Sequence, residues 1–589
     1  MQEPFIFYNE QLTTYREKLS NINRQLFASS MIRLAVFLLA IFGIYIFYGQ
    51  TNPVICIAIL TFVLFLFLVS RHTDLQLQKD KLLALVRINV TELEVLNRKY
   101  DHLPDGAEFQ DPMHYYSQDI DLFGRGSFYQ YCNRTCLQQS GRVLADILTA
   151  NEIENIPDKQ DAIRELAAIP EWRQDFSATA MLVKSEIPNT AIIGWIATYT
   201  PFISGTLAYV PRLFSIMSVL IITTYFLDVA PGWLLAGWFF LGLGITGKYL
   251  RKTNKLSSDT TKIQRTFRQY QALLIKLEEQ RFDSVFLRNA AAAIHQKDEI
   301  SSEVLKRFSK LLSALDQRNN MIIGLLGNGL MLRDIQISGA IDHWMAQHGP
   351  KIETWFKTIT FFDACNSLGN FSFNHPDYSY PDIVKGDTIL KTVGASHPML
   401  DPDKSVANDF EIGETRFFII TGANMAGKST FLRAVSLQIV MANAGLPVCA
   451  KVATYKPIKL ITSMRTTDSL TDEESYFYSE LKRLKFIVDH IGEDPYFIVL
   501  DEILKGTNST DKAIGSRKFV DKLIASRSTG IIATHDLSLC KAGDEHPEVE
   551  NFYFDVEIIN DELHFDYTLK QGVCKNMNAS YLLKKMGIV

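Results

Sequence analysis

The first half of the chain contains long apolar runs. Two of them, Ile32 to Tyr48 and Pro53 to Ser70, are separated only by the stretch GQTN. Each is close to the roughly 17 to 25 residues that an α-helix needs to cross a bilayer. A signal peptide would begin with a short basic segment, whereas about thirty mixed polar residues precede the first run here. We therefore predict a transmembrane hairpin at residues 31–70, between a cytoplasmic helix at 1–30 and a helical linker at 71–115.

A second pair of apolar runs, Leu213 to Leu227 and Trp233 to Gly247, is joined by DVAPG. These runs are shorter, so a buried helical hairpin in a soluble core is the alternative to a second transmembrane hairpin at 209–250. Basic residues favour the membrane, because neither short loop contains one and several flank the outer ends of both pairs: Arg24, Arg33, Arg71, Lys79, Arg212, Lys248, Arg251 and Lys252. The positive-inside rule then predicts a multi-pass protein of the cytoplasmic (inner) membrane, with both termini and the large segments in the cytoplasm.

Nearer the C-terminus, short apolar strands alternate with helical segments. The strand-like RFFII precedes TGANMAGKST, and FLRAVSLQIVMANAG follows with helical spacing. Gly422 to Ser429 fits the pattern GxxxxGK[ST], in which glycines let backbone N–H groups surround phosphate oxygens at a helix N-terminus. We expect Lys428 to reach the β- and γ-phosphates of ATP and Ser429 to ligate Mg²⁺.

Two further apolar strands end in polar residues. PYFIVLDE predicts a strand at Tyr496 to Leu500 that presents Asp501 to the magnesium ion and Glu502 to the attacking water. GIIATHDL predicts a strand at Ile531 to Ala533, followed by His535. We interpret His535 as a sensor of the γ-phosphate, and the alternative is a surface histidine that precedes a helix.

Composition limits the remaining possibilities. A chain of 589 residues is too long for one ordinary core, so several domains are expected. The net charge of -5 excludes a protein coated with basic residues, and any nucleic-acid contact must come from a local patch. Cys132 and Cys136 lack further ligands at zinc spacing, and unpaired cysteines beside a nucleotide site indicate a reducing compartment.

Several of these motifs resemble those of the MutS family of ATPases. TGANMAGKSTFLRAVSLQIVMANAGLPVCA is similar to the family's GPNMGGKST motif and the helix after it, DEILKGTNSTD to its DELGRGTST loop, and SYFYSEL to its STFMVEM signature. Upstream, LFGRGSFYQYCNRTCLQQSGRVLADIL resembles the core motif LF.LLNRT.T..G.RLL, IPDKQDAIREL resembles I..RQDAV.EL, and GASHPML…VAND resembles its HP…vpNd segment. The resemblance spans about residues 115 to 589, apart from the second apolar pair.

The apolar runs predict transmembrane helical hairpins, and the resemblance adds a multidomain fold with a mostly α-helical core and lever region and a C-terminal α/β P-loop ATPase domain of the ABC type. It places a core segment at 116–208, lever- or clamp-like helices at 251–335, a core return segment at 336–386 and the ATPase domain at 387–589. ATP and Mg²⁺ are the implied cofactors, with Glu502 and His535 catalytic and Asp501 and Ser429 at the metal. The implied nucleotide-binding residues are Gly422, Asn424, Gly427, Lys428, Ser429 and Thr430, with Ser475 contacting the nucleotide of a partner subunit in an ATP-dependent homodimer.

Departures from the family pattern limit what the resemblance implies. Ala426 replaces a glycine, and Glu473 stands where the family has a glycine before the signature serine, with Arg465 as one candidate cation to offset its charge. We expect no mismatch-reading domain, because only a short polar segment precedes the first apolar run. We also do not expect the chain to be a conventional ABC transporter, because an LSGGQ-type signature is absent from the sequence.

The ligand of the helical region stays open at this point. Arg251, Lys252, Lys255, Lys262, Arg265 and Arg268 could neutralise DNA phosphates or lie beside anionic lipid headgroups. Two hypotheses follow. The first is a membrane-anchored MutS-like ATPase coupled to DNA binding, and the alternative is a membrane-associated nucleotide switch that acts on a protein or lipid partner.

Overall fold

The computed structural model describes residues 3–183, 188–203, 205–295, 299–465, 476–492, 494–505, 507–559 and 562–574. The helices within these ranges are α1 (Pro4–Ile46), α2 (Thr51–Leu96), α3 (Phe128–Cys132), α4 (Ser140–Thr149), α5 (Ile156–Ala168), α6 (Pro170–Met181), α7 (Asn189–Thr198), α8 (Val210–Phe226), α9 (Gly232–Glu279), α10 (Val285–Ala292), α11 (Ser301–Asp316), α12 (Met321–Met331), α13 (Arg333–Asn374), α14 (Lys428–Asn443), α15 (Tyr476–His490), α16 (Ser509–Ala525) and α17 (Ala542–Glu545). The strands are β1 (Asp382–Ile383), β2 (Thr388–Ala395), β3 (Asn408–Gly413), β4 (Phe417–Gly422), β5 (Val452–Tyr455), β6 (Lys459–Ser463), β7 (Tyr496–Asp501), β8 (Thr529–Ala533), β9 (Val549–Ile559) and β10 (Glu562–Gln571).

The first apolar pair forms a helical hairpin of α1 and α2, which pack against each other. Each helix continues without a break from its apolar part into a polar part, so the boundaries predicted at residues 30 and 70 fall inside helices. Apolar side chains of both helices face outward, and Phe42, Leu60 and Phe62 are 60%, 71% and 64% exposed. Among the described residues, three helices are long and apolar enough to cross a membrane: α1, α2 and the Gly232–Thr261 part of α9.

A buried polar cluster joins this hairpin to the body. The Tyr8 hydroxyl donates to Asn374 Oδ1 at 2.7 Å, and Asn374 Nδ2 donates to Glu92 Oε2 at 2.8 Å. Arg134 Nε donates to the other Glu92 oxygen at 2.6 Å. Because a buried carboxylate is tolerated only when it is paired and hydrogen-bonded, this arrangement fixes α1 and α2 against the C-terminal end of α13. The rings of Phe7 and Phe373 pack beside it.

The second apolar pair forms a hairpin of α8 and α9. Helix α9 runs unbroken from the apolar residues after Gly232 to Glu279, and its second half buries Leu256, Phe267 and Leu274 in the helical core with α11 and α13. The predicted lever segment at 251–335 therefore begins as the continuation of an apolar helix. It also contains α12, an apolar helix that we did not predict.

Within its described residues, the C-terminal domain contains two sheets. The larger has the strand order β10-β9-β4-β8-β7-β6, in which the pairs from β9 to β6 are parallel and β10 is antiparallel to β9. The smaller has the order β1-β5-β2-β3. Its strand β1 lies before residue 387, where we predicted this domain to begin. Strands β4, β7 and β8 and helix α14 confirm the elements predicted around the phosphate-binding motif.

Candidate nucleotide-binding site

The phosphate-binding loop connects β4 to α14. Gly422 and Gly427 have φ values of 151° and 104°, which side chains rarely adopt. A Cβ atom on Gly422 would also lie 2.8 Å from the carbonyl oxygen of Phe554 on β9. These glycines allow the loop to turn tightly into α14, whose first backbone N–H groups have no partner within the helix. The loop is therefore shaped to bind an anion.

Lys428 points back into this loop. Its Nζ donates to the carbonyl oxygens of Gly422 and Ala423 at 2.8 and 2.9 Å, and the residue is only 6% exposed. Burial lowers the pKa of Lys428, while the nearby carboxylates of Asp501 and Glu502 act in the opposite direction. The ammonium group is therefore held where phosphate oxygens bound by the loop would meet it.

The pairing of β7 with β8 brings the acidic residues to the loop. Asp501 lies opposite Ala533, and β8 pairs in turn with β4. Ser429 Oγ donates to Asp501 Oδ2 at 2.6 Å, so the two predicted metal ligands are adjacent. Because Mg²⁺ usually keeps water and substrate phosphates among its ligands, one hydroxyl and one carboxylate fit an ion bound together with a nucleotide.

Glu502 and His535 form a pair beside these ligands. Glu502 Oε1 lies 2.7 Å from His535 Nε2, and this nitrogen lies 3.4 Å from Lys428 Nζ. The hydrogen bond from His535, with the charges of His535, Lys505 and Lys512, lowers the pKa of Glu502 to about 2. The carboxylate is ionised at neutral pH and can accept a hydrogen bond from water. Glu502 has a φ of 52°, so its backbone adopts a left-handed conformation where β7 ends.

The predicted residues surround one cavity of about 620 Å³. Asn424, Gly427, Lys428, Ser429 and Thr430 line it from the loop, and Glu502 and His535 line it from the ends of β7 and β8. Gly422 and Asp501 lie at the ends of strands that border it. Ser475 and Glu473 lie outside the described residues, and α15 begins at Tyr476. Arg465 is engaged elsewhere, because its guanidinium pairs with both carboxylate oxygens of Asp121.

Tyr567 is a cavity residue that we did not predict. Its ring lies over the loop, 3.1 Å from where a Cβ atom on Gly427 would stand, and the residue is 41% exposed. It has a φ of 52° at an irregularity in the pairing of β10 with β9. Asn408 holds this turn, because its amide donates to the Tyr567 carbonyl at 3.1 Å and accepts from the Leu569 N–H at 2.7 Å. Asn408 belongs to the VAND motif noted in the sequence, and that motif was the one sequence feature that pointed to this contact.

The parallel sheet, the loop before α14 and the acidic residues at adjacent strand ends define a P-loop nucleotide-binding domain. Residues 418–586 match the family MutS domain V. Members of this domain family are ATPases that use ATP. The resemblance to the MutS family is thus confirmed for the C-terminal part of the chain.

Curated relatives agree with this assignment. The chain is 33% identical to "MutS protein homolog 4" of Homo sapiens over 233 residues. This aligned stretch covers 38% of the chain and 24% of that protein. It is 30% identical over 216 residues to "DNA mismatch repair protein MSH4" of Arabidopsis thaliana, covering 36% and 27% respectively. It is 28% identical over 242 residues to "DNA mismatch repair protein MutS 2" of Halobacterium salinarum, covering 40% and 27%. The chain therefore spans about a quarter of the length of the curated relatives it matches.

Proposed function

We propose that this protein is a membrane-anchored, Mg²⁺-dependent ATPase whose ATP cycle drives a conformational change of its helical region. The observation that carries the proposal is the convergence of Lys428, the Ser429–Asp501 pair and the Glu502–His535 pair on one cavity. Lys428 would exchange its carbonyl partners for phosphate oxygens. Ser429 and Asp501 would hold Mg²⁺, and Tyr567 would contact the base or sugar.

Glu502 would orient and activate the attacking water. Its Oε1 lies 2.7 Å from His535 Nε2, which lies 3.4 Å from Lys428 Nζ and therefore beside the proposed phosphate position. We propose that a bound γ-phosphate takes over the hydrogen bond of His535, which frees Glu502 to accept one from the attacking water.

The same proposal includes an ATP-dependent homodimer. The support is the resemblance of SYFYSEL to the family signature, which implies that Ser475 contacts the partner's nucleotide. Helix α15 follows this position directly, so its N-terminal dipole would face a phosphate there. Confinement of both subunits to one membrane would raise their effective concentration and favour closure.

Membrane anchoring is supported by the exposed apolar surfaces of α1, α2 and α9. We expect both short interhelical loops to lie on the side opposite the ATPase domain, in a multi-pass protein of the cytoplasmic membrane. In a variant that lacks the exposed Cys56, the substitutions Thr51→Cys and Val229→Cys should react with an impermeant thiol reagent added outside intact cells. Lys518→Cys, at an exposed position of α16, should react only after lysis. Labelling of Lys518→Cys alone in intact cells would overturn this topology.

We propose that DNA is the ligand of the helical region, as the names of the relatives suggest. The support is a set of exposed basic residues on α9: Arg251, Lys252, Lys255, Arg265 and Arg268. The second candidate is a nucleotide switch that acts on a lipid or protein partner. It is favoured by the position of Arg251 and Lys252 directly after the apolar half of α9, where anionic headgroups would lie.

The two candidates can be distinguished experimentally, because the basic residues lie at different distances along α9 from its apolar half. Arg268 lies about 30 Å beyond Lys248 at 1.5 Å per residue, so it is out of reach of headgroups near Lys248. If DNA binds here, both Arg268→Ala and the pair Arg251→Ala/Lys252→Ala should weaken DNA binding by detergent-purified protein. Each lost phosphate contact should also reduce the slope of log K against log salt concentration by roughly one. If lipid is the partner, only the second variant should change binding to anionic vesicles, and wild-type protein should show no salt-dependent DNA binding.

A further inference from the structure

Helix α12 is a short apolar helix whose outer face is exposed. Residues 321–331 contain no charged side chain, and Met321, Ile322 and Leu326 are 81%, 69% and 51% exposed. Its length of about 16 Å equals half of a hydrocarbon layer about 30 Å thick. An apolar helix of this length is ordinarily a core helix or a segment that enters a membrane partway. The exposed face argues against a core helix.

The inner face of α12 packs tightly on the apolar half of α9. A Cβ atom on Gly242 would lie 2.4 Å from the carbonyl oxygen of Gly329, and one on Gly329 would lie 2.2 Å from the ring of Phe239. The two backbones therefore approach each other as closely as glycines permit, which is a common mode of helix packing within membranes. Part of α12 therefore lies beside the apolar half of α9, at the same distance along that helix as Phe239 and Gly242.

Polar contacts join the chain before α12 to the chain after it. Before α12, the guanidinium of Arg318 donates to Asp334 at 2.9 Å and to Asn254 at 2.6 Å. After α12, Arg333 donates to Gln317 at 2.6 Å. One of these partners, Asn254, lies beyond Lys248, the first cation after the apolar half of α9, whereas Gly242 precedes Lys248 by about 9 Å along the helix. Because Arg318 contacts both Asn254 and Asp334, the segments before and after α12 meet near Asn254, and α12 does not carry the chain across to the far end of the apolar half of α9.

We propose that α12 is a re-entrant element embedded in the leaflet on the ATPase side, with Met321, Ile322 and Leu326 against lipid acyl chains. The proposal rests on the membrane anchoring proposed above. Lipid is the occupant that fits, because α12 contacts α8 and α9, and these helices also expose large apolar side chains such as Ile216 and Phe240, at 66% and 69%. Residues 210–226, 232–247 and 321–331 contain one charged side chain, Arg212, near the start of α8, and Asp228 lies in the loop between α8 and α9. The second apolar region is then a hairpin completed by a third helix that does not cross.

The test uses nitroxide probes on full-length protein in lipid vesicles. In the variant lacking Cys56, single cysteines replace Leu326 on α12, Phe62 on α2 and Lys357 on α13. Lys357 is an exposed position about 36 Å along α13 from Arg333 and serves as the aqueous control. Collisions with oxygen report lipid exposure, and collisions with a water-soluble nickel complex report water exposure. We expect the probe at 326 to be accessible to oxygen and protected from nickel, at a shallower depth than the probe at 62.

Two results would overturn the proposal in different ways. If the probe at 326 resembles the one at 357 while the probe at 62 is in lipid, α12 is aqueous and the anchoring by α1 and α2 stands. If the probes at 326 and 62 are both aqueous, the anchoring fails as well. Quenching of a bimane at position 326 by lipids brominated on their acyl chains gives a second measurement, since a probe buried against protein alone would not be quenched.

Discussion

Glu502→Gln is expected to abolish steady-state ATP hydrolysis while ATP remains bound. The amide has nearly the shape of the carboxylate, so the contact with His535 Nε2 at 2.7 Å can be kept in an altered form. It cannot accept a proton from the attacking water, and the loss of a general base typically costs about 10²- to 10⁴-fold in rate. Phosphate release measured alongside retention of labelled ATP separates the two effects.

A matched substitution controls for the loss of one negative charge. Glu545→Gln makes the same chemical change on α17, where the carboxylate pairs with Arg517 away from the cavity. This variant should hydrolyse ATP at the wild-type rate. Wild-type turnover by Glu502→Gln would remove Glu502 from the proposed role in activating water.

Lys428→Ala is expected to abolish measurable nucleotide binding. The ammonium group lies inside the loop, 2.8 and 2.9 Å from the carbonyl oxygens of Gly422 and Ala423. Its removal leaves phosphate charge without this cation, and truncation of one partner of a buried charged pair costs about 2 to 5 kcal/mol, which is about 30-fold or more in affinity. Equilibrium titration with a fluorescent ATP analogue measures this loss.

The control for Lys428→Ala is Lys518→Ala, which removes an exposed lysine from α16 and should leave nucleotide affinity unchanged. A thermal unfolding curve without nucleotide checks that the Lys428 variant is folded. Near wild-type affinity in a folded Lys428→Ala variant would show that the loop binds phosphate through its backbone N–H groups alone.

Local patterns in the sequence determined the phosphate-binding elements and the helical hairpins. The apolar strands that end at Gly422, Asp501 and Ala533 are present, as is the helix that begins at Lys428. These features are predictable because a buried strand, a glycine loop and a long apolar helix each have a signature within one short segment. The motifs thus named Lys428, Asp501 and His535 as candidates, each from its own short segment.

Tertiary structure alone decided how these parts are joined. The Glu502–His535 bond depends on the register of β7 with β8, and the position of Tyr567 depends on Asn408, a residue far away in the sequence. The pairing of Arg465 with Asp121 joins segments that are 344 residues apart. Helix α12 escaped prediction because its apolar run is short, and its exposed outer face and its contact with α9 distinguish it from a core helix. Short-range periodicity carries no information on such pairings, because they form between segments that only the complete fold brings together.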